Sequence, residues 1–106
     1  MDYVIDPDRL AELTSSAGAQ VVDVRAQARR GDGFIPGSRH IPTGELSAEA
    51  TTLDRDRSVV FYGDADDDVL GLTEAFRAAG FTAYALAGGV GEWERSGRPL
   101  DGGPAG

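Results

Sequence analysis

The chain contains no cysteine and no lysine; all 10 of its basic residues are arginine. The first absence excludes disulfides, thiolate metal sites and any chemistry that runs through a thiol. The second excludes Schiff-base formation on a side-chain amine. Histidine occurs once, at position 40, so His40 is the single side chain whose ordinary pKa lies near neutrality. No apolar run approaches the length needed to span a bilayer, and residues 1–6 lack the basic-then-apolar order of a secretory signal. A cytoplasmic location is the resulting expectation. Positive charge is scarce: 18 acidic residues against 10 arginines give a net charge of −8. That balance disfavours nucleic acid and anionic membrane surfaces as partners, because both are held by clustered cations. The length of 106 residues suits one domain with one core.

What is present alternates between strand-like and helix-like stretches. Residues 3–5 suit a short edge strand. Asp6-Pro7 reads as a helix N-cap with proline at the first helical position, followed by Leu10 and Leu13 on one face and by Gly18 as a stop. Val21-Val22-Asp23-Val24 suits a central strand. Residues 26–30 suggest a short helix closed by Gly31 and Gly33, and residues 38–41 a short strand ahead of Pro42. Residues 44–53 are weakly helical, with Leu46 and Leu53 facing inward. Val59-Val60-Phe61-Tyr62 is wholly β-branched or aromatic and reads as a buried strand. Val69, Leu72, Ala75, Phe76 and Ala79 recur at helical spacing, with Gly80 as the stop. Gly71 inside that helix costs about 1 kcal/mol against alanine, which suggests close packing of the helix on the sheet. Residues 83–86 form a last strand, Gly88-Gly89 a turn, and residues 90–96 a helix that places Trp93 in the core. Strands alternating with helices argue for an α/β domain with a mainly parallel sheet. The domain is expected over residues 1–100. Residues 101–106 are read as a flexible Gly/Pro tail, with fraying from Pro99 onward.

Between the strand at 59–62 and the helix from 69 lies an acidic loop, Gly63-Asp64-Ala65-Asp66-Asp67-Asp68. A loop feeding a helix N-terminus is a natural anion cradle, yet this one is filled with carboxylates. They can cap the helix that begins near Asp68. They can form an acidic surface for a basic protein partner. The spacing of Asp64, Asp66 and Asp68 also matches the opening of a calcium loop, although Val69 stands where such a loop needs glycine and Ala75 where it needs a bidentate acid. Asp23 and Arg25 close the second strand, as a structural brace or as the wall of a pocket beside the loop. His40 reads as a half-buried, hydrogen-bonded residue and not a general base. Ser58 and Thr73 flank the loop, but no G-x-S-x-G elbow accompanies them. Gly88, Gly89 and Gly91 do not match G-x-G-x-x-G, so a turn is preferred to a phosphate loop.

The order of these pieces resembles the rhodanese family over nearly the whole chain. Asp23-Val24-Arg25 is similar to its DVR strand end. Gly33-Phe34-Ile35-Pro36-Gly37-Ser38 resembles its GHIPGA turn, with Phe34 where histidine is usual, and His40-Ile41-Pro42 fits the segment that follows. Leu86-Ala87-Gly88-Gly89, Trp93 and Gly97-Arg98-Pro99-Leu100 are similar to its closing pattern. The resemblance implies a single domain with a small, mainly parallel, five-stranded sheet flanked by helices on both faces. It implies that the loop from Gly63 to Asp68 is the family's active-site loop, with Gly63 at the position of the cysteine that carries sulfur as a persulfide. Glycine has no side chain to attack a sulfur donor, and the carboxylates repel thiosulfate-like anions. The expectation is a non-catalytic interaction or regulatory module without a cofactor. The alternative is a sulfurtransferase-family protein with altered chemistry based on a metal or on carboxylates.

Overall fold

Strand β4 (Val59–Tyr62) is buried at all four positions, as its uninterrupted apolar sequence requires of a strand covered on both faces. The computed structural model describes residues 3–26, 33–64 and 68–101. Around β4 the sheet runs β1 (Val4–Ile5), β5 (Ala83–Leu86), β4, β2 (Gln20–Asp23), β3 (Arg39–His40). All four pairings are parallel. The carboxyl ends of the strands therefore gather on one edge, where open α/β sheets present their sites. The register sets Asp23 of β2 opposite Tyr62 of β4, so the segment after Asp23 and the segment after Tyr62 leave the sheet side by side.

Side chains alternate across the sheet with the period of two that a pleated strand imposes. Val59 and Phe61 enter one core with Val22, Leu46, Phe81 and Ala83. Val60 and Tyr62 enter a second core with Leu10, Leu13, Ile35 and Trp93. Helices α2 (Leu46–Glu49) and α3 (Val69–Ala78) cover the first face, and α1 (Pro7–Ala17) and α4 (Gly89–Arg95) cover the second. This is the α/β sheet with helices on both faces expected from the sequence, with the described strands wholly parallel. No helix among the described residues is long and apolar enough to cross a membrane.

The helix ends follow local chemistry. The Asp6 carboxylate accepts a hydrogen bond from the Arg9 amide, Pro7 stands at the first turn, and Gly18 closes α1 in the left-handed region. Asp68 caps α3 in the same way, its Oδ1 accepting from the Gly71 amide at 3.0 Å.

Three expectations change. Residues 44–53 do not form one weak helix: 3₁₀ turns at Thr43–Glu45 and Ala50–Thr52 flank the four-residue α2. The Thr52 hydroxyl donates to the Glu49 carbonyl, the kind of local side-chain bond that competes with a regular helix. Leu46 and Leu53 are nonetheless both buried, as read from the sequence. Second, Pro99 to Asp101 are not frayed. Phe34 and Asp101 exchange two backbone hydrogen bonds, at 2.9 and 2.8 Å, and the Trp93 indole donates to the Pro99 carbonyl. Residues 102–106 lie outside the described residues, as does most of the short helix expected at 26–30.

Third, Gly71 is not explained by packing on the sheet: a Cβ there would run into the Asp68 carboxylate. Replacing an interior helical glycine by alanine ordinarily gains about 1 kcal/mol. Here Gly71→Ala is expected to gain nothing, because it displaces a cap worth about 1 kcal/mol. In an Asp68→Ala background the same change should recover the ordinary gain. Urea unfolding of the four proteins checks this, and an equal gain in both backgrounds would contradict it.

Candidate functional site

Asp23 and Arg25 form the root of the site. The Arg25 Nε donates to Asp23 Oδ1 and its Nη2 to Asp23 Oδ2, both at 2.9 Å, and the Arg25 amide adds a third bond to Oδ1 at 3.0 Å. The pair is buried, with 2% of the Arg25 side chain and none of the Asp23 side chain exposed. Burial works against the Arg25 charge, but the hydrogen bonds and negative charge of Asp23 outweigh it, and the guanidinium pKa is raised. Arg25 Nη2 also donates to the Gly33 carbonyl at 2.7 Å. Its Nη1 lies 3.9 Å from Asp64 Oδ1, an ion pair without a direct hydrogen bond. Asp23 and Arg25 thus brace each other, and Arg25 reaches the loop at Asp64. His40 sits behind it, its Nε2–H donating to the Arg25 carbonyl at 2.8 Å. A carbonyl can only accept, so Nε2 carries the proton in this bond.

The loop leaves β4 at Gly63, which is buried, and the Gly63 carbonyl accepts from the Val90 amide at the start of α4 at 3.0 Å. A Cβ on Gly89 would collide with that carbonyl, so the strand end and the helix start meet as bare backbone. Asp64 is partly exposed, with 30% of its side chain accessible. Asp68 is exposed and caps α3. Ala65, Asp66 and Asp67 lie outside the described residues. Among the described residues no three acidic, histidine or cysteine side chains gather in a group that could hold a metal ion. Asp64 faces an arginine and Asp68 a helix end.

A rhodanese-like domain model matches residues 6–96. The chain belongs to the rhodanese-like domain family. Among curated proteins it is similar to "Putative sulfurtransferase YtwF" of Bacillus subtilis (strain 168), at 28% identity over 79 residues, which cover 74% of this chain and 77% of that protein. Among solved structures it is similar to a rhodanese-related protein from Thermoplasma volcanium, with a TM-score of 0.84 and 25% identity, covering 93% of this chain and 97% of the other. A thiosulfate sulfurtransferase from Pseudomonas aeruginosa superposes with a TM-score of 0.83 at 25% identity, covering 94% of this chain but 19% of that one. This is a rhodanese-like domain homologous to sulfurtransferases, and it has no cysteine.

One site residue of this rhodanese-like domain escaped the sequence reading. Tyr62, the last residue of β4, is fully buried. Its hydroxyl accepts from the Ile35 amide at 3.0 Å and shares a 2.9 Å hydrogen bond with the Ser38 hydroxyl. The Arg25 guanidinium lies 5.7 Å from its ring centroid. Tyr62 thereby ties the turn at residues 33–38 to the residue just before Gly63. The available signal was a tyrosine closing an otherwise apolar strand, since a buried phenol has to find a partner. Thr73, which flanks the loop in sequence, is buried on α3 and donates to the Val69 carbonyl.

Tyr62→Phe removes the acceptor of the buried Ile35 amide, and a loss of about 1–3 kcal/mol is expected in urea unfolding. Burial raises the Tyr62 pKa above its ordinary value near 10. The folded state therefore holds that proton more tightly than the unfolded chain. This contribution is complete below pH about 10 and is lost as pH rises through that value toward the raised one. The stability difference between wild type and Tyr62→Phe should narrow above pH about 10. A difference independent of pH would contradict the assignment.

Proposed function

We propose that this rhodanese-like domain is a non-catalytic binding module whose working surface is the loop that begins at Gly63, and that its partner is a basic protein. The observation that carries the reading is the residue that follows β4, Gly63. Family resemblance puts the sulfur-carrying cysteine at Gly63, and the chain has no other thiol to take over its work. Sulfur transfer by this fold requires a thiolate that attacks the donor and holds the sulfane sulfur covalently. The charge of the surroundings agrees with this reading. Asp64, partly exposed, and Asp68, exposed, add negative charge to the loop that the resemblance makes the family's active-site loop, and the chain as a whole carries −8. Such a field slows anionic donors and speeds encounter with cationic partners.

The purified protein is expected to form no thiocyanate above background from thiosulfate and cyanide. Robust turnover would overturn the reading. Gly63→Cys separates the two parts of the argument. If charge matters as well as the missing sulfur, neighbouring carboxylates raise the new thiol's pKa and repel the donor. The variant should then stay at least about tenfold slower than Gly63→Cys combined with Asp64→Asn and Asp68→Asn. Equal rates in the two variants would remove the electrostatic part.

A further inference from the structure

A groove of about 420 Å³ lies between α2 and α3 on the first face of the sheet. Leu46 lines one side, Leu72, Ala75, Phe76 and Ala79 line the other, and Phe81 stands past the end of α3. The four-residue α2 runs beside the ten-residue α3, and Leu72 and Phe76 pack on the first core while staying only partly buried. The Phe76 ring is held in place by Phe61 and Phe81, at centroid distances of 4.8 and 5.2 Å.

Arg55 also lines the groove. Its guanidinium lies 4.4 Å from the Phe81 ring centroid, and its Nη1 donates to the Ala79 carbonyl at the carboxyl end of α3. A Cβ on Gly80 would collide with that Nη1, so the glycine that ends the helix also makes room for the arginine. Among the described residues no carboxylate pairs with Arg55. Asp54, its neighbour in sequence, accepts from the Asp56 amide at 2.8 Å, and Glu49 of α2 pairs with Arg39 at 2.8 Å.

We propose that this groove binds a small carboxylate with an apolar body, of the class of a medium-chain fatty acid. Arg55 stands at the opposite end of α3 from Asp68, so the site is separate from the loop at Gly63 and does not depend on the reading of that loop. Burial of the tail on Leu46, Leu72 and Phe76 supplies the apolar gain. Charge fixes the head. A guanidinium presents several N–H donors in a planar fork, of which Arg55 uses one on Ala79, and a carboxylate can take a pair of the others. The same arginine offsets the negative carboxyl end of α3, which by itself repels an anion. A neutral tail strips water from the guanidinium and returns nothing for it. A cation is repelled by Arg55, and an anion without an apolar body leaves the groove unfilled.

The test is an amide NMR titration of the whole chain with hexanoate, against hexanol, which keeps the tail, and acetate, which keeps the charge. Saturable shifts are expected at Leu46, Leu72, Phe76, Ala79 and Phe81, with hexanoate binding at least about threefold tighter than either control. Hexanol is the less hydrated of the two six-carbon ligands, so a groove without a working cation binds it at least as well as hexanoate. Arg55→Gln should abolish the preference for hexanoate and leave hexanol binding unchanged. The comparison of ligands uses the unaltered protein, so it holds even if the variant folds poorly. Equal or tighter binding of hexanol or acetate, a preference that survives Arg55→Gln, or no saturable shift at these five residues overturns the proposal.

Discussion

The buried pair of Asp23 and Arg25 is the constraint on which the rest of the site hangs. Its two side-chain bonds are both 2.9 Å, and water reaches almost none of either side chain. A buried ion pair of this kind contributes little net stability against a well-packed apolar alternative, but losing one partner costs several kcal/mol, because the other is left charged and dry. The pair therefore acts as a positioning device. Through Arg25 it fastens the end of β2 to the Gly33 carbonyl and faces Asp64 at 3.9 Å. Through the register of β2 on β4 it stands next to Tyr62, whose hydroxyl holds the same 33–38 turn from the other side.

That arrangement holds the fold together without calling on a thiol. The parallel sheet, the brace and the tyrosine anchor are held by hydrogen bonds in which no thiol takes part. Gly63 contributes a backbone carbonyl to the Val90 amide, a contact that needs no side chain. The scaffold is complete without a thiol, whereas sulfur transfer through a thiolate requires one. Asp68 serves the scaffold as well, since it caps α3. The Asp68 carboxylate meets the amino end of α3 with the negative charge that a helix N-terminus favours.

Much of this was legible in the sequence because the signals were local. The apolar run of β4, the helical spacing from Val69 to Ala79, the Asp6-Pro7 cap and the Gly18 stop each depend on neighbours a few residues away. What was not legible depended on distance or on side-chain direction. Pro99 to Asp101 looked like the start of a loose tail, because their partners, Trp93 and above all Phe34, are set by the fold. Gly71 looked like a packing glycine, because the path of the Asp68 carboxylate back over the first turn is not written in the spacing. Tyr62 was counted as apolar filling, because its hydrogen-bond partners are more than 20 positions away. Asp23 and Arg25 were read as either brace or wall, and the bidentate geometry of their pairing is visible only in three dimensions.

The most direct test of the central claim is intact-mass spectrometry of the purified chain after incubation with thiosulfate, without reductant. A protein with no sulfur-bearing nucleophile should return its unmodified mass at every donor concentration. A stable gain of one sulfur atom per chain would contradict the account.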